Sequence, residues 1–589
     1  MSEILSIDGL NTLEMRAKSA NAPLKMSHDK GPVVPLIETT IGDFFDSVVA
    51  KYPEREAVVS CHQGIRWNYQ QLQQKVNQLA SAMIEMGLEV GDRVGIWSHN
   101  NAEWLLVQLA TAKIGVILVN INPAYRSFEL QYALNKLGCS VLVLMRYFKS
   151  SDYGQIIQEV CPEIYHKDYN ELNLVEIPTV ERIVWIDEPE SSGQTDNDAE
   201  QDYNFMQRFS AWLAEGDAND PRVSERQASL KHTDAINVQF TSGTTGTPKG
   251  ATLTHHNILN NGYFLGEAMG LTKEDRLCVP LPLYHCFGMV AGNLGVITHG
   301  ACVVYPSHSF DALAVLQTVE KEQCTGLLGV PTMFIAILAH PEFANFDLSS
   351  LRTGIMGGSS CPIEVMRQVI DKMHMSGVTI AYGMTETSPA SCQTNSYTPV
   401  EKRVTTVGMA LPNTEIKIVD TETGEVVPIG ETGEVLTYGY CVMKGYWGSR
   451  FKTKEAIQDG WMHTGDLAKM DEEGYLTVVG RSKDMVIRGG ENIYPVEIEN
   501  YLYRHPDISD VQVVGIPDAH YGEVLAAWII PKKGVTLSED EVKQFCLDHI
   551  ARYKVPTYFR FVEEYPMTIT GKIQKYKIVD IMKEELGIA

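Results

Sequence analysis

The sequence predicts an α/β fold: a large N-terminal domain of α/β-layered subdomains with a β-rich subdomain, followed by a small α+β unit at the C-terminus. Three observations carry this. Near-continuous apolar runs of strand length alternate with helix-period stretches from about Thr40 to Ser391, the pattern of parallel strands buried on both faces. Between Val404 and Tyr440, short strand-like segments follow one another across turn residues. Beyond Asp484 the helix and strand patterns begin again over a length that can fold by itself. At 589 residues the chain exceeds one ordinary core; the length corresponds to about two to four domains.

Taken in order, Thr40-Ile-Gly-Asp43 has the form of a helix start, and Phe44, Phe45, Val48 and Val49 follow at helical spacing. An amphipathic helix runs through Tyr69, Leu72, Val76, Leu79 and Met83, and Gly87 and Gly91 end it. Arg93–Trp97 reads as a strand, followed by a helix with Trp104, Leu105 and Leu109 on one face. Strand Val116–Asn120, helix Phe128–Leu137 and strand Cys139–Met145 repeat the alternation. Ser191 to Arg222 is polar and acidic and reads as an exposed insertion, with a helix over Phe205–Leu213. From Leu277 to Phe310 there is no Asp, Glu, Lys or Arg, but Pro280, Pro282, Pro306 and several glycines interrupt the run. A membrane-spanning helix needs about 20 uninterrupted apolar residues, so buried strand–helix–strand is expected here, and no integral membrane segment. In the last unit Asp484–Ile487 reads as a strand and Pro495 suits the first turn of a helix. Val511–Ile516, Leu525–Ile530 and Tyr558–Val562 are strands, and Ser538-Glu-Asp-Glu541 is a capping box.

Composition narrows the function classes. The chain is 44% hydrophobic and 21% charged, as in ordinary globular proteins. A net charge of -25 argues against a nucleic-acid binder or one for anionic membranes, because counterion release needs clustered positive charge. Eleven cysteines lie scattered with no Cys-x-x-Cys, which fits reduced thiols in a reducing compartment. The stretch Met1–Asp8 has neither a basic n-region nor an apolar h-region, so the expected location is cytoplasmic.

Chemistry is concentrated in a few stretches. Thr241, Ser242, Gly243, Thr244, Thr245, Gly246, Thr247, Pro248, Lys249 and Gly250 follow the apolar run Ala235–Phe240 and precede a possible helix start at Thr254. Glycines let the backbone approach a ligand closely, while hydroxyls, a lysine and successive N–H groups can hold phosphate oxygens. No Gly-Lys-[Ser/Thr] closes the loop, so it is not a Walker A motif. Tyr382, Gly383, Met384, Thr385 and Glu386 combine an aromatic face, a hydroxyl and a carboxylate, which suit a nucleobase, a phosphate and Mg²⁺; alone, the pentapeptide is as well explained by a surface turn. Gly357, Gly358 and Ser359 could admit a flat ligand against bare backbone, or could simply turn the chain before a helix at Pro362. Asp466, in Trp461–Asp466, could bridge the two hydroxyls of a ribose or could form a turn. Lys572 follows a glycine near the end, where an exposed, solvated lysine is the ordinary case.

Together, the order and spacing of Thr241–Gly250, Tyr382–Glu386, Thr464–Asp466, Gly480-Arg-Ser-Lys-Asp484 and Gly571-Lys572 resemble the adenylate-forming superfamily of acyl-CoA synthetases, luciferases and peptide-synthetase adenylation domains. The resemblance runs from about Phe44 to Gly587. Pro282–Gly288, Gly480–Pro495 and Thr570–Lys575 look more narrowly like the medium-chain fatty-acyl-CoA ligases of the type called acyl-CoA synthetase family member 2.

That resemblance implies an AMP-binding domain over residues 1–480, a hinge at 481–483 and a small mobile domain over 484–589. It implies a fatty acid, ATP and coenzyme A as substrates with Mg²⁺ as cofactor, and an acyl-adenylate between two half-reactions. The implied roles are phosphate binding by Thr241–Gly246 and Lys249, adenine stacking on Tyr382 and Gly383 beside Gly358 and Ser359, α-phosphate binding by Thr385 and Mg²⁺ binding by Glu386. Asp466 and Arg481 would hold the ribose, and Lys572 would bridge the carboxylate and the α-phosphate. Lys483 would be the hinge, with Gly489 and Gly490 lining the pantetheine tunnel. His285 would position the substrate carboxylate; a buried, hydrogen-bonded histidine without a catalytic role explains it equally well. The uncharged stretch Leu277–Phe310 and Gly329–Phe334 supply candidates for an acyl pocket or for ordinary core. Two alternatives stay open: a ligase for long-chain, branched or aryl acids, and a non-catalytic homologue that only binds nucleotide or acyl-CoA. An amino-acid-activating domain is disfavoured, because no acid stands within Tyr284–Phe287 to pair with an ammonium.

Overall fold

Two large sheets, each mainly parallel, share one core of helices. The first runs Gln207–Arg208, Arg182–Ile186, Val141–Met145, Arg93–Trp97, Ile117–Asn120, Ala235–Thr241, Lys249–Thr254, Gly445–Tyr446, and only its last two pairings are antiparallel. The second runs Met409–Ala410, Cys392–Gln393, Gly377–Tyr382, Thr353–Gly357, Gly326–Gly329, Arg276–Cys278, Cys302–Tyr305, Glu56–Ser60, Ile65–Asn68, parallel from Gly377–Tyr382 to Glu56–Ser60. The computed structural model describes residues 23–148, 151–187, 203–241, 248–359, 361–488, 491–518, 520–547, 549–568 and 573–588.

The largest apolar cluster joins Val94 and Ile96 of the first sheet to Val58, Val303 and Ile355 of the second through helices Tyr69–Glu85, Ala102–Ile114 and His255–Met269. This placement overrides the one-sided burial expected for the second helix. Every residue from Trp104 to Ile114 is buried, because a helix between two sheets has no solvent face. Its one lysine, Lys113, is buried and ion-paired to both oxygens of Asp46 at 2.6 and 2.8 Å. Asn101 caps the helix start, its Oδ1 accepting from Trp104 N at 2.7 Å.

The β-rich part is a third, antiparallel sheet with path His28–Lys30, Thr414–Val419, Gly433–Gly439, Trp461–Met470, Ile457–Gln458, and Leu476–Arg481 pairing with Trp461–Met470. The C-terminal sheet orders Glu491–Ile493, Val486–Arg488, Gly522–Pro531 and Ile508–Asp518, with Tyr558–Phe561 parallel to Gly522–Pro531. Ser538 and Glu541 form the expected capping box.

Three local expectations change. Residues 203–214 are not an exposed loop: Phe205, Phe209 and Trp212 are buried, Gln207–Arg208 extends the first sheet, and the helix begins only at Phe209. The segment before Val486 is a short 3₁₀ turn over Ser482–Asp484 rather than strand. Leu277–Phe310 is strand, helix and strand as expected, but Phe287–Leu294 winds as a π-helix, a form that occurs mostly as short insertions near functional sites.

Candidate active site

A cleft of about 750 Å³, counting the open solvent at its mouth, lies at the C-terminal ends of the second sheet's parallel strands, where ligands of open α/β sheets sit. Gly357 ends strand Thr353–Gly357, Tyr382 ends Gly377–Tyr382, and Val330 and Pro282 follow two further strands; all four line it. His285, Phe287, Gly358, Gly383 and Thr385 also line it, as do the apolar Leu265, Leu281 and Ala390.

At one corner, Tyr382 OH donates to Asp466 Oδ2 at 2.8 Å, and Arg481 Nε donates to Asp466 Oδ1 at 3.1 Å. The backbone explains the second contact: Asp466 and Arg481 are partners in the antiparallel ladder between Trp461–Met470 and Leu476–Arg481, and opposite charges at facing positions attract. Asp466 therefore sits in a strand, which removes the turn explanation for it. Burial raises its carboxyl above the usual range, while Arg481 and the Tyr382 hydroxyl pull it back. Burial also pushes the Tyr382 phenol well up, so it stays a donor. A Cβ on Gly383 would lie 2.1 Å from Pro389 O, so no other residue fits there. Gly358 adopts φ 86°, in the left-handed region that favours glycine, and Gly358 and Ser359 are exposed at the rim.

The phosphate-loop sequence joins two strands rather than a strand and a helix. Thr241 and Lys249 are cross-strand partners, and the helix begins after a further strand, with Thr254 as its cap. Ser242, Gly243, Thr244, Thr245, Gly246 and Thr247 lie outside the described residues. Beside the loop's mouth, the buried carboxylate of Glu386 accepts from Tyr446 OH at 2.8 Å and from Thr241 Oγ1 at 3.2 Å. Lys249 Nζ stands 5.0 Å from the centre of the Tyr446 ring. Tyr446 was missed in the sequence; Gly445-Tyr446 carries no signal until the first sheet brings it alongside Lys249–Thr254. Thr385 begins the 3₁₀ turn Thr385–Thr387 and lines the cleft.

His285 also lines the cleft, half-buried, with its ring centre 4.3 Å from that of Tyr284. The neighbouring Cys286 is buried and its thiol is pushed up by desolvation, which keeps it neutral. Lys483 is exposed in the 3₁₀ turn that follows Arg481. Lys572, Gly489 and Gly490 lie outside the described residues. Just beyond Lys572, Lys575 Nζ donates to the buried Glu499 Oε1 at 2.5 Å and to Val513 O at 3.1 Å, which fastens helix Lys575–Leu586 to the C-terminal sheet.

Among the described residues no group of three or more His, Cys, Asp or Glu is placed to hold a metal, and no helix is long and apolar enough to cross a membrane. None of the eleven cysteines is part of a disulfide.

Comparison with known proteins places this geometry. The model of the AMP-binding enzyme family matches residues 45–447, and that of the AMP-binding enzyme C-terminal domain matches residues 497–572. YngI of Bacillus subtilis (strain 168) is 47% identical over 544 residues, 92% of this chain and 97% of the relative. The mitochondrial medium-chain acyl-CoA ligase ACSF2 of Mus musculus is 42% identical over 569 residues, 94% of this chain and 89% of the relative. Among solved structures, the anthranilate CoA ligase AuaEII in complex with anthranoyl-AMP superimposes with a TM-score of 0.82 at 26% identity, covering 94% of this chain and 99% of that one. With a family model over most of its length and relatives of this identity along nearly all of it, the chain belongs to the AMP-binding enzyme family, as an adenylate-forming acyl-CoA synthetase.

Proposed function

We propose that the protein is a fatty-acid–CoA ligase acting on medium-chain acids. The carboxylate attacks the α-phosphate of ATP, giving acyl-adenylate and pyrophosphate; the thiol of coenzyme A then displaces AMP to give the thioester. The observation that carries this reading is a single cleft with two characters. A polar corner, Tyr382 with Asp466 and Arg481, suits an adenosine, and an apolar lining that includes Leu265, Leu281 and Val330 suits an aliphatic chain. Each methylene buried there contributes ~0.8 kcal/mol. The medium-chain ligase name of the mouse relative supports the same chain length.

The first half-reaction brings two anions together, so the protein's part is positioning and positive charge. In this reading Thr241–Gly246 and Lys249 hold the β- and γ-phosphates, Tyr382 stacks on adenine beside Gly358 and Ser359, and Thr385 meets the α-phosphate. Lys572 neutralises charge between the carboxylate and that phosphate, and His285 orients the carboxylate. Glu386 fits Mg²⁺ in donor chemistry: it is a buried carboxylate beside the hydroxyls of Thr241 and Tyr446, and Mg²⁺ takes oxygen ligands, usually one or two carboxylates plus substrate phosphates. When bound, the ion would offset phosphate charge. Residues 1–480, 481–483 and 484–589 are proposed as large domain, hinge and mobile small domain, a division that the two family matches support by falling on either side of the hinge. In the second half-reaction Gly489 and Gly490 would line the path of the CoA arm. Eleven cysteines outside any disulfide support a reducing compartment, and the cytoplasm is proposed.

The test is pyrophosphate release from ATP across saturated acids from acetate to palmitate, with and without CoA. Highest efficiency at intermediate length is expected. An optimum at the long-chain end would replace the chain-length reading, and no turnover with any aliphatic acid would remove the fatty-acyl reading.

A further inference from the structure

Three buried amides join the strand that leads into the proposed phosphate loop to the segment that carries His285, and a fourth holds that segment from another side. Gln239 Nε2 donates to Asn237 Oδ1 at 2.9 Å, and Asn237 Nδ2 donates to Asn120 Oδ1 at 2.9 Å and to Leu118 O at 3.0 Å. Asn120 Nδ2 in turn donates to the Tyr284 carbonyl at 3.1 Å. Asn100 grips the same segment just upstream: its Nδ2 donates to Leu281 O at 2.8 Å and its Oδ1 accepts from Leu283 N at 2.9 Å. Asn100 and Gln239 are 1% exposed, Asn120 and Asn237 2%.

Sheet geometry puts the amides in line. Asn237 and Gln239 stand two apart on Ala235–Thr241 and so share a face. Parallel pairing sets Gln239 opposite Asn120 and Asn237 opposite Leu118. In an apolar core each such group is costly unless it is bonded, so the ladder favours one arrangement. Apolar side chains would fill the space as well. What the amides add is a fixed spacing between a strand of the first sheet and the segment that follows strand Arg276–Cys278 of the second. One carries the cleft-lining Leu281, Pro282 and His285. The other ends at Thr241, two residues past Gln239, where its hydroxyl meets Glu386.

We infer that Asn120 and Asn100 are positioning residues for the acyl half of the site, which hold the His285 segment at a set distance from the phosphate-loop strand, with Asn237 and Gln239 as the rungs behind them. The inference rests on the acyl-adenylate reading above and deepens it: the amides set where the acid's carboxylate meets the nucleotide's phosphate. Small misplacements of reacting groups cost rate steeply, about 100-fold for roughly an ångström.

The experiment measures acid-dependent pyrophosphate release by the full chain, with separate KM values for octanoate and ATP, and thermal midpoints alongside. Asn120→Ala removes its bonds to Tyr284 O and Asn237 together with its contact to Met289 Sδ. Asn100→Asp keeps the acceptor for Leu283 N but loses the donor to Leu281 O, and it serves if the first variant does not fold. Asn101→Ala is the control, since Asn101 caps the neighbouring helix at Trp104 N. Either positioning variant is expected to lower kcat/KM for octanoate by about 10- to 100-fold while the KM for ATP moves less than about twofold. Asn101→Ala should lower the thermal midpoint and leave both KM values in place. Equal shifts in both KM values, or a positioning variant that behaves like Asn101→Ala, would overturn the inference. A wild-type chain with no acid-dependent release would remove the acyl reading, and the inference with it.

Discussion

Four carboxylates are buried to nearly the same degree in two regions of the molecule: Glu386 at 5% and Asp466 at 8% exposure by the cleft, Glu499 at 6% and Asp510 at 7% in the C-terminal unit. Their partners differ. Glu386 and Asp466 bond to Thr241, Tyr446, Tyr382 and Arg481: Tyr382 lines the cleft, Thr241 ends the strand before the proposed phosphate loop, Tyr446 stands by Lys249, and Arg481 begins the proposed hinge. Glu499 bonds to Lys575 and Val513 N, and Asp510 to the Tyr503 hydroxyl and Val511 N, all within the unit's own packing. Burial alone therefore does not mark a functional acid; what its partners face does. Substitution in the first region should cost chemistry, and in the second, stability.

The largest effect tests the group proposed to cross from one region to the other. Lys572→Ala should reduce adenylate formation on the order of 10²- to 10³-fold, as loss of a group that stabilises transition-state charge does, and leave thioester formation from supplied acyl-adenylate within about a few fold. Equal loss of both half-reactions would contradict a lysine used in only one. Next, Glu386→Gln should lower acid-dependent pyrophosphate release about 100-fold, with little change in thermal midpoint because an amide still accepts from Tyr446 and Thr241. A large fall in midpoint with intact turnover would place Glu386 in the second class. Third, Lys575→Ala leaves the Glu499 charge without its cation and should destabilise the C-terminal unit by about 2–3 kcal/mol in urea unfolding. The KM for ATP should not move, and a change there would break the comparison.

The smallest effect is a difference in pH response. Burial pushes the Asp510 carboxyl up to about 6, against hydrogen bonds from Tyr503 and Val511. The folded state thus holds a proton that the unfolded chain releases from about pH 4. The stabilisation is complete below that and is lost as pH rises through 6. In the large part, burial holds His62 down to about 3 and His255 to about 4. Both stay neutral when folded while the unfolded chain gains protons below about pH 6.5. Their stabilisation is complete above 6.5 and is lost as pH falls. Hydrogen exchange read peptide by peptide from pH 7 to 5 should show protection falling around His62 and His255 and rising around Asp510. Asp510→Asn should flatten the second trend. A parallel slope in both regions would refute the assignment.

The groups of the polar corner were legible from sequence because Tyr382–Glu386, Asp466 and Arg481 are uncommon chemistry in short, ordered stretches. The same holds for the alternation of strands and helices, which periodicity reports directly. What stayed hidden depends on sheet order. Tyr446 reaches Glu386 only because Gly445–Tyr446 pairs with Lys249–Thr254, and that strand was itself unseen, since its residues read as the end of a loop. Asn120 and Asn237 look like isolated polar residues until parallel pairing brings their strands together, with Gln239 opposite Asn120 and Asn237 bonded to it diagonally. The all-round burial of Ala102–Ile114 likewise needs a second sheet that no local pattern announces.

One feature of the loop bears on how this site can be altered. Its two ends, Thr241 and Lys249, occupy a single rung of an antiparallel ladder, where facing Cα atoms stand about 4.5–5.5 Å apart. The loop is thus a noose with a knotted neck. Lengthening it costs only a slowly growing closure entropy, about 0.6 kcal/mol per doubling, and any slack is taken up beyond the knot. Neither flanking strand needs to slip, so Thr241 keeps its place beside Glu386 and Gly445–Tyr446 keeps its edge. Rewriting or resizing residues 242–247 should therefore change the proposed grip on phosphate while the bond between Thr241 and Glu386 stays in place.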